Sequence, residues 1–323
     1  MPRVSEKQQK TVKIFKVEES TADILKEAVK DAALGGKRKI FIKPNMSHPG
    51  YVPGVVTDPA MLGELVSLLR DTAEEVIVGE SNGFNYPCRS AFENTGIETA
   101  VKQAGGAVIN LSEDKVVKVK FPVSCPLKCL FLPKTVLDAD AVVDAALMKT
   151  HEFALYSGAI KNLFGCVPSN RRIYLHPYLP EVFYRLYAVF KPQLTIMDAR
   201  VGIEGNGPTK GNPVKMNLML TSNDALALDI TATKIMRLDW KQTYLNYIAT
   251  KTGLHEEATK VEGLQVYQVQ RRFEPPRIDL PVKAQLEIYK HEYLTKLLFC
   301  SLDVVRLFQK VTVAYRGEPI EVG

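Results

Sequence analysis

The chain has 323 residues, of which 46% are hydrophobic and 24% are charged, the composition of a globular protein with one large or two modest domains. Its net charge of +6 favours anionic ligands, but the absence of a long Lys/Arg run and of any RNA- or DNA-binding motif excludes a nucleic-acid-binding protein. No uncharged apolar run reaches the roughly 18 residues that cross a membrane, and the N-terminus lacks the apolar core of a signal peptide. Five cysteines at irregular spacing are typical of a reduced protein, so we expect a cytoplasmic location.

Predicted strands and helices alternate along the chain. The strands are Thr11–Val17, Lys39–Ile42, Glu75–Val78, Ala107–Leu111, Lys115–Phe121, Ala141–Met148, Leu194–Met197 and Lys215–Leu220. The helices are one that follows Thr21, Pro59–Arg70, Arg89–Ala104 with a break at Gly96, Pro133–Asp140, Pro180–Phe190 and one that follows Asp224. This alternation predicts an α/β fold with a mostly parallel sheet flanked by helices and a C-terminal helical extension.

Residues 1–270 are predicted to form the α/β domain that carries the candidate site, and residues 271–323 the C-terminal extension. Three prolines punctuate an extended stretch at the start of this extension, and His291–Lys310 follows as an amphipathic helix. The apolar stripe of this helix consists of Leu294, Leu297, Leu298, Leu302, Val305 and Phe308. The stripe predicts packing on the parent domain or on a second copy of the chain in a homodimer. Binding at a membrane surface is the alternative, because basic residues flank the stripe.

The most informative stretch is 141–165. Its apolar first part is typical of a strand that is buried on both faces. Polar residues and glycines follow where the apolar run stops: Lys149, Thr150, His151, Gly158, Lys161, Asn162 and Gly165. Open α/β sheets bind ligands just past the ends of such strands, so this stretch predicts a ligand site. The alternative is a capped strand followed by a solvated loop.

Other predicted strands also end in polar residues, namely Lys43 and Asn45, Glu80 and Asn82, and Asp198. Because the C-terminal ends of parallel neighbours meet at one edge, we expect these groups to converge with His151, whose imidazole can exchange protons near neutral pH. A glycine-rich loop follows Asp198 and contains Gly205, Asn206 and Gly207. The loop matches neither a Walker A sequence nor a dinucleotide fingerprint, but its glycines allow backbone N–H groups to face an anion.

Five segments between roughly residues 39 and 229 occur in a specific combination: Lys43-Pro44-Asn45, Thr57-Asp58-Pro59, Lys149-Thr150-His151, Gly158-Ala159-Ile160-Lys161-Asn162-Leu163-Phe164-Gly165 and Glu204-Gly205-Asn206-Gly207-Pro208. Together they resemble the family called domain of unknown function 362. Some members of that family carry a ferredoxin-like iron–sulfur segment with closely spaced cysteines. This chain has no iron–sulfur motif of its own, so the resemblance implies no cluster here.

His151, Ser157-Gly158-Ala159 and Lys161 follow one another in an order similar to that of the nickel-pincer lactate racemase family. That resemblance implies a lysine, Lys161, that tethers a cofactor, and it puts His176 near the position of a nickel-binding histidine. The second catalytic histidine of that family and its adjacent arginine have no counterpart in this chain. The resemblance therefore implies shared ancestry and a shared cleft rather than racemase chemistry.

The leading hypothesis is an isomerase- or oxidoreductase-like enzyme that acts on a small anionic substrate. His151 is the predicted acid/base, and Lys149 and Lys161 anchor the substrate or a tethered cofactor. The predicted substrate-binding residues are Lys43, Asn45, Asp58, Asn162, Gly205, Asn206 and Gly207. The predicted ligands of a divalent metal are His176, Glu80 and Asp198.

Two alternatives stay open. The first is a redox, iron–sulfur or other metal-handling protein that uses Cys88, Cys125, Cys129 or Cys166. The second is a non-catalytic module that binds a phosphate or nucleotide and releases it unchanged. The sequence identifies neither the substrate nor the cofactor.

Overall fold

The computed structural model of the chain describes residues 10–299, except 19, 84–85, 169–171 and 255, together with residues 301, 303, 304, 306, 307, 310, 311 and 314. The described strands are β1 (Lys10–Lys16), β2 (Lys39–Lys43), β3 (Glu75–Glu80), β4 (Ala107–Asn110), β5 (Val116–Lys120), β6 (Cys129–Pro133), β7 (Ala141–His151), β8 (Leu155–Ser157), β9 (Leu194–Glu204), β10 (Asn212–Ser222) and β11 (Thr259–Gly263). The described helices are α1 (Ala22–Asp31), α2 (Pro59–Arg70), α3 (Cys88–Asn94), α4 (Ile97–Gln103), α5 (Lys134–Leu137), α6 (Ala159–Asn162), α7 (Leu179–Phe190), α8 (Ala225–Ile235), α9 (Tyr244–Thr252), α10 (Val266–Val269), α11 (Leu280–Tyr289) and α12 (Glu292–Phe299).

The main sheet has the order β11-β1-β10-β9-β7-β2-β3-β4. Strands β9, β7, β2, β3 and β4 are parallel neighbours. Strands β9, β10 and β1 pair antiparallel, and β11 lies parallel to β1. The short strand β8 turns back antiparallel to the end of β7, and β5 and β6 form a separate hairpin. The prediction of an α/β fold with a mostly parallel sheet is confirmed.

Strand β7 is buried along its whole length because both faces of the sheet are covered. Val143 and Ala145 pack into the cluster formed with α1, α2, α3 and α4. Ala146 and Met148 pack into the opposite cluster, formed with α8 and α9. Successive side chains of a strand point to opposite faces, so a continuous apolar run is what a central strand of such a sheet requires.

Several element boundaries follow directly from local sequence chemistry. Helix α2 has the predicted bounds because the Asp58 carboxylate caps it, accepting hydrogen bonds from the backbone N–H groups of Ala60 at 2.8 Å and Met61 at 3.3 Å. The predicted break between α3 and α4 lies at Gly96, whose φ of +78° is left-handed.

Strands β9 and β10 extend further than predicted. They pair as a hairpin in which Glu204 lies opposite Asn212, so the tip of the hairpin is residues 205–211. The loop that the glycines and polar residues predict, residues 202–213, is therefore too long, because residues 202–204 and 212–213 pair between β9 and β10. The polar composition of these residues gives no sign of that pairing.

The prediction of an extended stretch after residue 270 was wrong for residues 280–289, which form α11. Asp279 caps this helix, since its side chain accepts a hydrogen bond from the Val282 N–H group at 3.1 Å. The segment before α11 joins the main core, because Phe273 is 1% exposed and contacts Gly202.

The C-terminal amphipathic helix was predicted over His291–Lys310, and the structure describes its first part as α12. Only some residues of the predicted apolar stripe therefore fall within the described chain. Leu294 and Leu297 are exposed, whereas Thr295 and Phe299 are buried. Three predicted members of the stripe, Leu302, Val305 and Phe308, lie outside the described residues. The two-part division at residue 270 and a homodimer through this helix therefore remain predictions. Within the described residues, no helix has the length and apolar character to span a bilayer.

Candidate functional site

The C-terminal ends of β2, β3 and β7 meet beside α6 and enclose a cavity of about 250 Å³. Its polar wall includes Asn45, Ser47, Glu80, Lys161, Asn162 and Arg172. Tyr86, Phe164 and Pro208 contribute less polar parts of the wall. The predicted convergence of strand ends thus produces a concave site at the place where open α/β sheets bind ligands.

One carboxylate of the cavity wall, Glu80, is paired with a buried lysine. The Lys43 ammonium donates to Glu80 Oε2 and, at 2.6 Å, to the carbonyl of Pro44. The Lys43 side chain is fully buried, so its charge depends on this partner. Gly165 is required here, because a Cβ atom at that position would overlap Glu80 Oε1.

A chain of amide hydrogen bonds fixes the floor of the cavity. Asn162 Nδ2 donates to Asp144 Oδ1 at 2.6 Å and to the Lys43 carbonyl at 3.2 Å. The Oδ1 atom of Asn162 accepts from Asn45 Nδ2 at 3.1 Å. Burial raises the pKa of Asp144 well above its usual value, and its Oδ2 atom has no partner within the described residues. Both amides are therefore held in one orientation by a buried network.

Lys149 supports the cavity from behind rather than lining it. Its ammonium donates to Asn45 Oδ1 at 2.8 Å, to Ser47 Oγ at 3.2 Å and to the Val55 carbonyl at 2.6 Å. Burial, and to a lesser degree the nearby cations, lowers its pKa well below the usual value. These three bonds position Asn45 and Ser47, so the geometry gives Lys149 a structural role in place of the predicted substrate contact.

Lys161 differs from Lys149 because its ammonium has no hydrogen-bond or ion-pair partner within the described part of the chain. It lines the cavity together with Arg172, whose guanidinium donates to the carbonyl of Asn82. Burial lowers the pKa of Lys161 to about 8, and the charge of Arg172 adds to the effect. A partly buried, unpaired lysine with a pKa near neutrality is a candidate for proton transfer.

The position of Lys161 is set by the start of α6. Asp229 of α8 accepts from the N–H groups of Ala159 at 2.8 Å and Ile160 at 2.9 Å, and from the Tyr156 hydroxyl at 2.9 Å. Gly158 allows this approach, because a Cβ atom there would overlap both the Tyr156 hydroxyl and Asp229 Oδ1. Gly158 thus lets Asp229 bind the start of α6, and this contact fixes the position of Lys161.

His151 lies beside the cavity but is not part of its wall. It is 8% exposed, and its Nδ1 atom accepts from the Phe153 N–H group at 3.1 Å, so the neutral ring carries its proton on Nε2. Burial lowers the pKa of His151 well below its usual value, and the charges of Lys161 and Lys149 act in the same direction.

His176 is covered by the C-terminal segment. Its ring stacks on that of Tyr289, with centroids 4.3 Å apart, and its Nδ1 atom donates to the Ile173 carbonyl at 3.0 Å. Burial lowers the pKa of His176 to about 4. Because His176 is engaged with Tyr289 and does not line the cavity, the residues present do not fit a nickel group held jointly by Lys161 and His176.

Asp58 and Asp198, predicted at the cavity, are instead joined by Arg200. The guanidinium donates to Asp198 at 2.9 and 2.6 Å and to Asp58 at 2.9 Å. Two further predicted residues are also absent from the cavity wall. The Gly205 carbonyl accepts from the Thr150 hydroxyl at 2.8 Å, and Asn206 Oδ1 accepts from the Arg277 N–H group at 2.8 Å.

Gly207 lies against β7, where a Cβ atom would overlap the Thr150 carbonyl oxygen. Its φ is not in the left-handed region, so the glycine is required for close approach rather than for a special backbone angle. The neighbouring residue, Pro208, reaches the cavity wall.

The predicted metal ligands do not come together. Glu80 pairs with Lys43, Asp198 pairs with Arg200 and His176 stacks on Tyr289. Among the residues that the structure describes, no three His, Cys, Asp or Glu side chains form a group that could hold a metal ion. The thiols of Cys88 and Cys166 are buried, and burial raises the pKa of both.

Arg172 and Ser47 line the cavity but were not among the predicted site residues. Arg172 stands in a Tyr-rich stretch that follows no strand, so a search of strand ends misses it. A weak signal was available for Ser47, which is two residues beyond Asn45 in the same loop.

The fold and the site define an α/β protein with a cationic cavity at the C-terminal edge of its parallel strands. The chain belongs to the family described as Domain of unknown function (DUF362), whose match covers residues 40–234. It is 27% identical over 210 residues to a thylakoid-associated protein of Synechocystis sp.. That match covers 62% of this chain and 64% of the relative, so the chain spans less than two thirds of the relative's length.

Two solved structures are distantly similar. The lactate racemase apoprotein of Thermoanaerobacterium thermosaccharolyticum is 19% identical, with a TM-score of 0.41 that covers 64% of this chain and 52% of the racemase. A protein of Thermotoga maritima is 11% identical, with a TM-score of 0.40 that covers 75% of this chain and 61% of that protein. At these TM-scores neither structure bears on the function of this chain.

Proposed function

We propose that the chain is an enzyme that binds a small anionic molecule in this cavity and uses Lys161 for proton transfer. The observation that carries the proposal is an unpaired lysine in the wall of a cavity that also contains Arg172. Lys43 neutralises Glu80, so two positive charges of the wall have no carboxylate partner within the described residues. An anionic ligand supplies the missing negative charge.

The chemistry of Lys161 supports a catalytic rather than a purely electrostatic role. With a pKa of about 8, a minor fraction of its side chains is a neutral amine at neutral pH. The amine can take a proton from a bound substrate, and the resulting ammonium can return it. Asn45 and Asn162, whose amides are fixed by the buried network, orient the substrate for this step. In this proposal Lys161 is the acid/base, the role that the sequence analysis gives to His151.

Competitive acylation of amines tests this proposal. The protein is treated with a trace amount of an acylating reagent between about pH 6 and pH 10, and labelling is read by peptide mass spectrometry. We expect Lys161 to label faster than the exposed Lys30 below about pH 9 and to be protected by malate or inorganic phosphate, with Lys149 unlabelled.

Equal labelling of Lys161 and Lys30, without protection by either anion, would contradict the proposal. If Lys161 labels fast but neither anion protects it, Lys161 is a reactive lysine, and the proposal that an anion binds beside it is wrong.

A further inference from the structure

We infer that the cavity selects a ligand with two negative charges, such as a dicarboxylate or a phosphate monoester, over a monoanion of similar size. This inference rests on the proposed function and names its substrate class. It follows from two cations of the wall that have no carboxylate partner among the described residues, and from the pairing of the wall residue Glu80 with Lys43.

The described side chains of the wall carry more positive than negative charge. Lys161 and Arg172 line the cavity, and neither has a carboxylate within ion-pair distance among the described residues. Glu80 is the acidic residue of the wall, and it is held by Lys43. A monoanion leaves one of the two cations uncompensated in a partly buried space, whereas a dianion compensates both.

The buried acids beneath the cavity do not change this balance. Asp144 Oδ1 accepts a hydrogen bond from Asn162, and burial raises the pKa of Asp144, which disfavours its charged form. Asp229 accepts from the N–H groups of Ala159 and Ile160 at the start of α6. Neither residue belongs to the cavity wall. The other polar side chains of the wall, among the residues that the structure describes, are neutral hydroxyls and amides, which can bind the oxygen atoms of either a carboxylate or a phosphate.

The two cations also differ in kind. The planar guanidinium of Arg172 suits two oxygen atoms of one carboxylate or phosphate, whereas the ammonium of Lys161 is a point charge. A ligand with both charges on a single phosphate group engages both cations at one end of the cavity. A dicarboxylate engages them with separate groups.

Matched pairs of anions test the inference, with binding followed by calorimetry at about pH 7.5 and constant ionic strength. The pairs are L-malate against L-lactate, which differ by one carboxylate, and methyl phosphate against dimethyl phosphate, which differ by one charge. We expect the preferred dianion to bind roughly tenfold or more tightly than its monoanion partner. A larger dianion/monoanion affinity ratio for malate and lactate indicates a dicarboxylate site, and a larger ratio for the two phosphates indicates a site for a phosphate ester.

The variants K161M and R172M assign the binding to the two cations. Each is expected to weaken binding of the dianion roughly tenfold or more and to reduce the dianion/monoanion ratio. K30M, which removes one exposed lysine, is the matched control and should change neither value. The ratio measured on the unaltered protein keeps the test decisive if a variant fails to fold.

Two unfavourable outcomes are distinguishable. If lactate or dimethyl phosphate binds as tightly as its dianion partner and K161M abolishes that binding, the inference is wrong and the anion-binding cavity of the proposed function stands. If none of the four anions binds, or binding is unchanged in K161M and R172M, the proposed function is wrong as well.

Discussion

Two lysines twelve residues apart in the sequence, Lys149 and Lys161, illustrate opposite uses of a buried amine. The Lys161 ammonium gains no partner on folding, so its burial opposes folding. We expect Lys161→Met to raise the free energy of unfolding by about 1–3 kcal/mol at neutral pH, because each unit of pKa shift corresponds to about 1.4 kcal/mol.

The effect of Lys161→Met on the free energy of unfolding should also depend on pH. Since the pKa of Lys161 is about 8 in the folded protein and its ordinary value is 10.5, the unfolded chain binds more protons between these two pH values. The contribution of Lys161 to the free energy of unfolding therefore rises with pH across this window, and the difference from Lys161→Met should shrink there. Urea denaturation at several pH values measures this. A loss of stability in the variant at neutral pH would show that Lys161 has a structural role.

Lys149→Met should have the opposite sign, because the three hydrogen bonds that the Lys149 ammonium donates offset the cost of its burial, which also lowers its pKa. The variant leaves the Val55 carbonyl and Asn45 Oδ1 without the ammonium that binds them. We expect the free energy of unfolding to fall by about 1–3 kcal/mol, the cost of buried polar groups that lose a partner. Urea denaturation alongside Lys161→Met checks the contrast, and a gain in stability would contradict the structural role of Lys149.

The sequence could predict that both lysines belong to the site, because both follow the apolar run of β7. It could not separate their roles, since the partners of Lys149 come from a loop about one hundred residues earlier in the chain. Arg172 was missed for a related reason. Its place in the cavity depends on tertiary packing and not on the end of a strand.

At the scale of elements, the tip of the β9–β10 hairpin depends on two glycines for different reasons. Gly205 has a φ of +73° and free space around it, so Gly205→Ala should cost about 1 kcal/mol of stability. A Cβ atom at Gly207 overlaps the Thr150 carbonyl, so Gly207→Ala displaces the tip and should cost about 2–3 kcal/mol.

Because Pro208 lines the cavity, Gly207→Ala should also weaken anion binding, whereas Gly205→Ala should leave it nearly unchanged. Thermal denaturation and calorimetry with malate measure the two effects. Equal losses in the two variants would show that the close contact with β7 does not shape the cavity.

Helices and strands that are marked by a local sequence pattern could be predicted, whereas those that form by pairing or packing with another segment could not. The apolar run of β7 and the Asp58 cap of α2 carry their own signals. Strand β8 has three residues and exists because it pairs with the end of β7. Helix α11 was missed because prolines before and at its start are typical of extended chain, although a proline in the first turn is compatible with a helix.

At the scale of the whole molecule, the C-terminal segment packs through aromatic contacts against residues next to the site. Tyr289 stacks on His176, contacts the edge of Phe153 at a centroid distance of 6.1 Å and packs against Phe299 at 5.7 Å. The Tyr178 hydroxyl donates to Glu292 at the start of α12. The extension thus contacts His176 directly, and it reaches His151 only through Phe153.

This packing should weaken in acid. The pKa of His176 is about 4 in the folded protein, whereas the ordinary value is 6.5, so the unfolded or opened form binds the proton more readily. The stabilising contribution is therefore complete above about pH 6.5 and is lost as the pH falls towards 4. Glu292 does not titrate in this window, since Lys296 and Tyr178 hold its pKa below the usual value.

We expect hydrogen exchange of residues 280–299 to accelerate between about pH 6.5 and pH 5, after correction for the intrinsic pH dependence, while exchange of β7 stays slow. His176→Phe keeps an aromatic ring against Tyr289 and removes the titrating group, so the same segment should remain protected at the lower pH. If the variant loses protection in acid as the unaltered protein does, protonation of His176 is not what releases the extension. The hydrogen bond from the Tyr178 hydroxyl to Glu292 would then be the next contact to vary, because it joins α12 to the segment that carries His176.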